Sequence, residues 1–127
     1  MNFRISRRLA LCLAIGAGLA NQTSALAGSL QGEMKRLPPS EQLEQRCDME
    51  AMNRLDADKV IAYTFSEPSH TAVKFDANGA VFRKHGEWYH LAYSCTTSRN
   101  HLKVTDFDLR VGNRIPHRDW SKYYLYP

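Results

Sequence analysis

The stretch WYHLAYSCT, residues 88–96, decides the fold. Side chains alternate along a strand, so Tyr89, Leu91, Tyr93 and Cys95 share one face, and Trp88, His90, Ala92 and Ser94 share the other. The first set is the more apolar and contains a cysteine, so it is expected to face the core. Something must cover it. Upstream, Leu43, Cys47, Ala51 and Leu55 recur every four residues, which draws a narrow apolar stripe down a helix. The helix is expected over about 40–55, with Ser40 as N-cap, Glu41 in the first turn and Asp56-Ala57-Asp58 at its end. Cys47 lies on the helix stripe and Cys95 on the core face of the strand. A bridge between them would pin helix to sheet.

The remaining chain reads as strands and turns. Lys59–Ser66 (KVIAYTFS) places Ile61, Tyr63 and Phe65 on one face and closes at Pro68. Thr71–Ala77 places Val73 and Phe75 together. Asn78-Gly79 predicts a hairpin turn, since both residues accept positive φ. Ala80–Lys84 continues as strand with Val81 and Phe82, and Lys84-His85-Gly86-Glu87 predicts a second turn. Over Leu102–Val111 the parity switches: Leu102 and Val104 share one phase, and Phe107, Leu109 and Val111 the other. A period of two cannot switch without an extra residue, which predicts a bulge around Thr105-Asp106. Gly112-Asn113 is expected to turn the chain. A helical turn from Pro116 and an aromatic tail, Tyr123–Pro127, follow. The fold class is α+β: one N-terminal helix packed on an antiparallel sheet of four to five strands, for which a cystatin-like helix-wrapped sheet is one concrete candidate.

The N-terminus reads as a secretory signal. Arg4, Arg7 and Arg8 precede an uncharged run from Leu9 to Ala20, which is too short to span a bilayer. Ala25-Leu26-Ala27 predicts cleavage after Ala27; the alternative is an uncut anchor helix. The domain plan is a signal at 1–27, a flexible leader at 28–39 ending in Leu37-Pro38-Pro39, and one domain at 40–127. Arg7-Arg8 resembles part of a twin-arginine signal, but the aromatic usual after such a pair is absent at Ala10, which favours the general secretory route. Cys12 and the Asn21-Gln22-Thr23 sequon leave with the signal. No membrane span is expected in the mature chain, and the address is periplasmic. Removing the signal cuts 17 basic against 13 acidic residues to 14 against 13, so the basic character is largely a targeting feature and argues against a nucleic-acid partner. Three cysteines become two, Cys47 and Cys95. An even count in an oxidising compartment suggests a bridge, against the alternative of two free thiols. Closing a loop of 48 residues between them stabilises a fold by about 4 kcal/mol in the chain-entropy account.

Several segments carry a family resemblance: Leu43–Met52 (LEQRCDMEAM), Ala62–Ser66 (AYTFS), Gly79–Arg83 with Gly86–Tyr89, Cys95, Asp106-Phe107, and Gly112 with Ile115-Pro116 and Trp120. In this order they resemble a family of exported alphaproteobacterial proteins classed as a domain of unknown function, number 930, over about residues 37–120. The resemblance implies a source, a compartment and a cysteine pair. It implies no reaction.

No cofactor motif is present. The five histidines, at 70, 85, 90, 101 and 117, show no H-x-x-x-H spacing, and no C-x-x-C occurs, so no metal site is expected. A small hydrolase or metal-dependent enzyme would have to use His90, His101 and the Asp106/Asp108 pair, whose alternate spacing puts both carboxylates on one strand face. A bridged Cys95 offers no nucleophile. The leading expectation is a non-enzymatic binding or structural module. Trp88, His90, Arg83 and Lys103 on the sheet face away from the helix suit an envelope protein, a glycan or a lipid headgroup. The competing expectation covers that face with the C-terminal segment and Trp120, which a small domain's need for apolar burial favours.

Overall fold

A computed structural model describes residues 32–127. The expected export signal at 1–27, its expected cleavage site, and residues 28–31 of the expected leader lie outside the described residues. Residues 32–34 are helical and 35–37 turn into the first long element.

Helix α1 spans Pro39–Leu55. It begins one residue before the expected start, because Pro39 occupies the first helical position, where its missing N–H costs nothing. Pro38, not Ser40, is therefore the N-cap. Asp56, at φ 50°, ends the helix in the left-handed conformation. The buried stripe is Leu43, Cys47 and Ala51. Two of these are small, which lets the helix axis lie close to the sheet.

The sheet is antiparallel and has five strands: β1 Lys59–Ile61, β2 Ser69–His70, β3 Lys74–Lys84, β4 Glu87–Thr97 and β5 Val104–Arg114. β3 and β4 form a hairpin closed by His85 and Gly86, at φ 50° and 76°. Two successive positive φ values match the right-handed twist of the strands, as expected from the sequence. β5 pairs with β4 on the far side. The predicted bulge is present: Thr96 faces Asp106 but Thr97 faces Val104, which leaves Thr105 as the extra residue.

Three expectations need correction. Asn78-Gly79 does not turn the chain. β3 runs through it, with Ala77 facing Tyr93 and Ala80 facing Leu91, so Asn78 and Gly79 together oppose Ala92 in a bulge. Gly112-Asn113 is likewise a bulge, between the Leu91–Val111 and Tyr89–Arg114 pairs. Positive-φ tolerance and bulge tolerance favour the same dipeptides, which is why they read as turns. The strand expected over 59–66 stops at Ile61, because the β3 ladder it follows is interrupted at the Gly79 bulge. β2 resumes pairing on the same edge of β3 beyond the bulge, and residues 62–68 arch out between the two short strands.

The helix-side core joins the α1 stripe to Val60, Phe75, Phe82, Leu91, Tyr93 and Cys95. The Cys47–Cys95 disulfide crosses it, with a Cα–Cα distance of 5.8 Å. A second core lies on the opposite sheet face. There the chain after β5 enters helix α2, His117–Trp120, and a 3-10 turn, Ser121–Tyr123, then folds back over Val81 and Trp88. Ile115, Trp120 and Leu125 pack against them. Trp88 Nε1 donates to the Tyr126 carbonyl at 2.8 Å, and Trp120 Nε1 donates to the Ile115 carbonyl at 3.0 Å. No helix among the described residues is long and apolar enough to cross a membrane.

Candidate functional site

The C-terminal strap covers only one end of the outer sheet face. Between that end and the polar end of the face, the two glycine bulges flank β4 on either side, one beside Ala92 and one beside His90. A depression of about 260 Å³ opens there, lined by Phe65, Asn78, Gly79, His90, Ala92 and Arg110, with Val111 and Gly112 at its β5 side. A smaller cavity of about 60 Å³ shares Asn78, Ala92 and Arg110 and adds Ser94 and Asp108.

Sequence and packing explain this shape. A Cβ built on Gly79 would collide with the backbone N and Oγ of Ser66. Glycine therefore lets the 62–68 arch cross the strand, where Phe65 N–H donates to the Gly79 carbonyl at 2.8 Å. The Phe65 ring then lands 4.5 Å from the His90 ring and 4.5 Å from the Tyr123 ring. A Cβ on Gly112 would lie 2.8 Å from the His90 Cβ, so the second glycine makes room for His90 itself. Ala92 keeps the centre shallow. The result is an aromatic wall beside small residues, ringed by an amide, an imidazole and a guanidinium. Arg110 and Asp108 stand opposite Ala92 and Ser94 and enter no ion pair among the described residues. Ser94 Oγ donates to Asp76 Oδ1 at 2.5 Å, and Lys74 Nζ lies 3.4 Å from Asp76 Oδ2, so Asp76 is already engaged.

The four residues expected to face a ligand separate. His90 is exposed and lines the depression. Trp88 is 0% exposed beneath the strap, so it is a core residue and offers no surface. Arg83 lies under the tail, with its guanidinium 3.7 Å from Asp58 and 5.8 Å from the Tyr126 ring centre. It lines a separate cavity of about 580 Å³ with His117, Trp120 and Ser121. Lys103 is exposed but precedes the Val104–Thr97 pair, at the other end of β4 from Trp88. Nine residues of strand are roughly 30 Å, too far for one ligand contact. Phe65, Asn78, Gly79, Arg110 and Gly112 were not expected at a site. Their signal was the pair of Asn/Gly dipeptides flanking the best strand.

The alternative enzyme set does not converge either. Asp106 and Asp108 share the outer face with His90. His101 sits in the β4–β5 loop, buried, with its Nε2 2.8 Å from the Ala72 carbonyl oxygen, and lines a different cavity. Among the described residues no three His, Cys, Asp or Glu side chains form a metal-holding group.

Further hydrogen-bonded carboxylates stand elsewhere. On the helix side, the Tyr93 hydroxyl donates to Asp48 Oδ1. Burial raises the Asp48 carboxyl to about 7 despite that hydrogen bond; Glu44 pushes in the same direction and Lys59 opposes. Burial, then Asp48 itself, raises the Tyr93 phenol. At the hairpin, His117 Nε2 lies 2.8 Å from Glu87 and Arg114 lies 3.2 Å from it. The hydrogen bond from His117 chiefly holds the Glu87 carboxyl below its usual range.

Comparison with curated proteins and with solved structures returns no match in either set. The family model described as Domain of Unknown Function (DUF930) matches residues 34–125. With the helix, the cysteine pair, the sheet and the C-terminal strap as far as Leu125 inside that span, the chain belongs to the DUF930 family.

Proposed function

We propose that this protein is an exported, non-catalytic module of an alphaproteobacterial periplasm that binds an envelope glycan in the depression around Ala92. The observation that carries the reading is the pair of glycine bulges flanking β4, which opens a small hollow in the outer sheet face and lines it with an aromatic wall and polar groups. A sugar has an apolar ring face and hydroxyls that donate and accept. Phe65 offers the flat apolar contact; the Asn78 amide, the Arg110 guanidinium and the Asp108 carboxylate offer complementary partners. The mixed charge favours a polyol over a strongly charged ligand. Export is supported by the n-region arginines, the short apolar run and the small residues at Ala25 and Ala27.

Cosedimentation with purified peptidoglycan sacculi tests the binding. The mature protein should pellet with the sacculi, and Arg110→Ala and Phe65→Ala should leave it in the supernatant. Failure of the parent to pellet, or pelleting unchanged by both substitutions, overturns the reading. The address is tested separately. The intact mass of protein recovered from a periplasmic fraction should correspond to a chain starting at Gly28.

A further inference from the structure

The two edges of the sheet differ. Along the free side of β3 lie β1 and β2, three and two residues long, with the 62–68 arch between them. The other edge is β5, eleven residues long, which pairs with β4 on one side and with no strand on the other among the described residues. Every second residue of such a strand turns its N–H and C=O away from the sheet, where a further strand can pair with them. We propose that β5 pairs antiparallel with β5 of a second copy, about a two-fold axis at Leu109, so that one sheet runs through a homodimer.

The bulges set the length of that pairing. Both carry their extra residue on β5, at Thr105 and at Gly112-Asn113. Between them Asp106–Val111 runs in unbroken register against β4. Bulges and charged side chains blunt an edge against indiscriminate pairing. Here they leave one short regular segment, which only a partner matched in register can use.

Charge selects the register. Asp106, Asp108 and Arg110 share the outer face, and Phe107, Leu109 and Val111 share the inner one. A two-fold axis perpendicular to the sheet keeps outer residues opposite outer ones, so some residue must face its own copy. Like charges directly opposite destabilise a strand pair, and opposite charges stabilise it. An axis at Asp108 or at Arg110 sets that charge against itself. An axis at Phe107 sets Asp108 against Asp106 of the partner subunit. An axis at Val111 runs the pairing into the Gly112-Asn113 bulge. An axis at Leu109 sets Asp108 opposite Arg110 of the partner subunit, and by symmetry does so twice. Asp106 then faces Gly112 of the partner subunit, which has no side chain.

The inner face agrees with the same register. Leu109 meets its copy, and Phe107 faces Val111 of the partner subunit. Val111 is 52% exposed in the single chain, and Phe107 and Leu109 are half-buried. Asp108 and Arg110 are exposed and enter no ion pair among the described residues, so both charges are available. The added strand lies beside the depression around Ala92 rather than over it. The proposal does not rest on the glycan reading, and its readout is taken without sugar.

Sedimentation equilibrium of the protein from Gly28 onward tests it. The concentration should reach about 1 mM, because a pairing this short lies at the weak end of protein interfaces. The parent should approach twice the monomer mass as concentration rises. Asp108→Arg and Arg110→Asp each set two pairs of like charges face to face. Either should raise the dissociation constant by about 10- to 100-fold, with an unchanged unfolding midpoint. The double variant Asp108→Arg/Arg110→Asp restores both pairs with their signs exchanged and should associate like the parent. A parent that stays monomeric throughout, single reversals that associate as tightly as the parent, or a double reversal that stays monomeric overturns the proposal.

Discussion

The two faces of the sheet are closed by different means. The inner face is covered by a 17-residue helix and tied by the Cys47–Cys95 bridge. The outer face is covered by a strap of α2, one 3-10 turn and a tail, held by Ile115, Trp120 and Leu125 and by two indole hydrogen bonds. The first closure runs along the sheet from Phe75 to Phe82; the second covers one end only. A small domain has too little chain to cover both faces fully. The uncovered remainder of the outer face is where β4 is flanked by bulges and the depression opens.

Four variants probe this contrast. The largest effect should come from the covalent tie. Replacing both Cys47 and Cys95 with Ala should remove about 4 kcal/mol, lowering the thermal midpoint by about 20 °C for a domain of this size. If reduced and oxidised protein melt together, the inner face is not held by its bridge and the contrast fails. Ile115→Ala at the strap should cost about 3 kcal/mol. Amide exchange should then quicken at Trp88 and Val81 before it quickens along α1. Uniform acceleration would mean that the faces are not closed separately.

The third test is electrostatic. The Asp48 carboxyl is raised from 3.8 to about 7 at the helix–sheet contact, so between those values the folded protein holds a proton that the unfolded chain releases. Stability is full below about pH 4 and declines as pH rises to about 7, by up to roughly 4 kcal/mol. Asp48→Asn cannot ionise and keeps an acceptor for the Tyr93 hydroxyl. It should therefore match the parent near pH 4 and exceed it by about 2 kcal/mol at pH 8, after allowing for the amide's own desolvation. Denaturant unfolding at the two pH values measures this. The smallest effect belongs to the open patch: Arg110→Ala should change stability by less than about 0.5 kcal/mol, because its side chain supports nothing in the fold.

Legibility followed the same division. The inner face could be read directly. The four-residue repeat of Leu43, Cys47 and Ala51 and the two-residue alternation of Leu91, Tyr93 and Cys95 each announce one buried side, and their cysteines meet where the two patterns predict. The parity switch at Thr105 also carried its bulge in plain view. The outer face was harder. Asn78-Gly79 and Gly112-Asn113 look like turns because the same backbone freedom serves turn and bulge, and only strand pairing separates them. Burial of Trp88 depended on where the C-terminal chain folds, a long-range fact that no local period records. The site residues Phe65 and Arg110 are 45 positions apart in the sequence. They become neighbours only because one strand end arches over a glycine.

The most direct test of the central claim is a map of amide chemical shifts in the protein from Gly28 onward during titration with the disaccharide repeat of peptidoglycan. The account predicts saturable shifts centred on Gly79, His90, Ala92 and Gly112, absent in Arg110→Ala, with α1 and the strap unmoved. Shifts confined to the strap or α1, or no shifts at all, would contradict it.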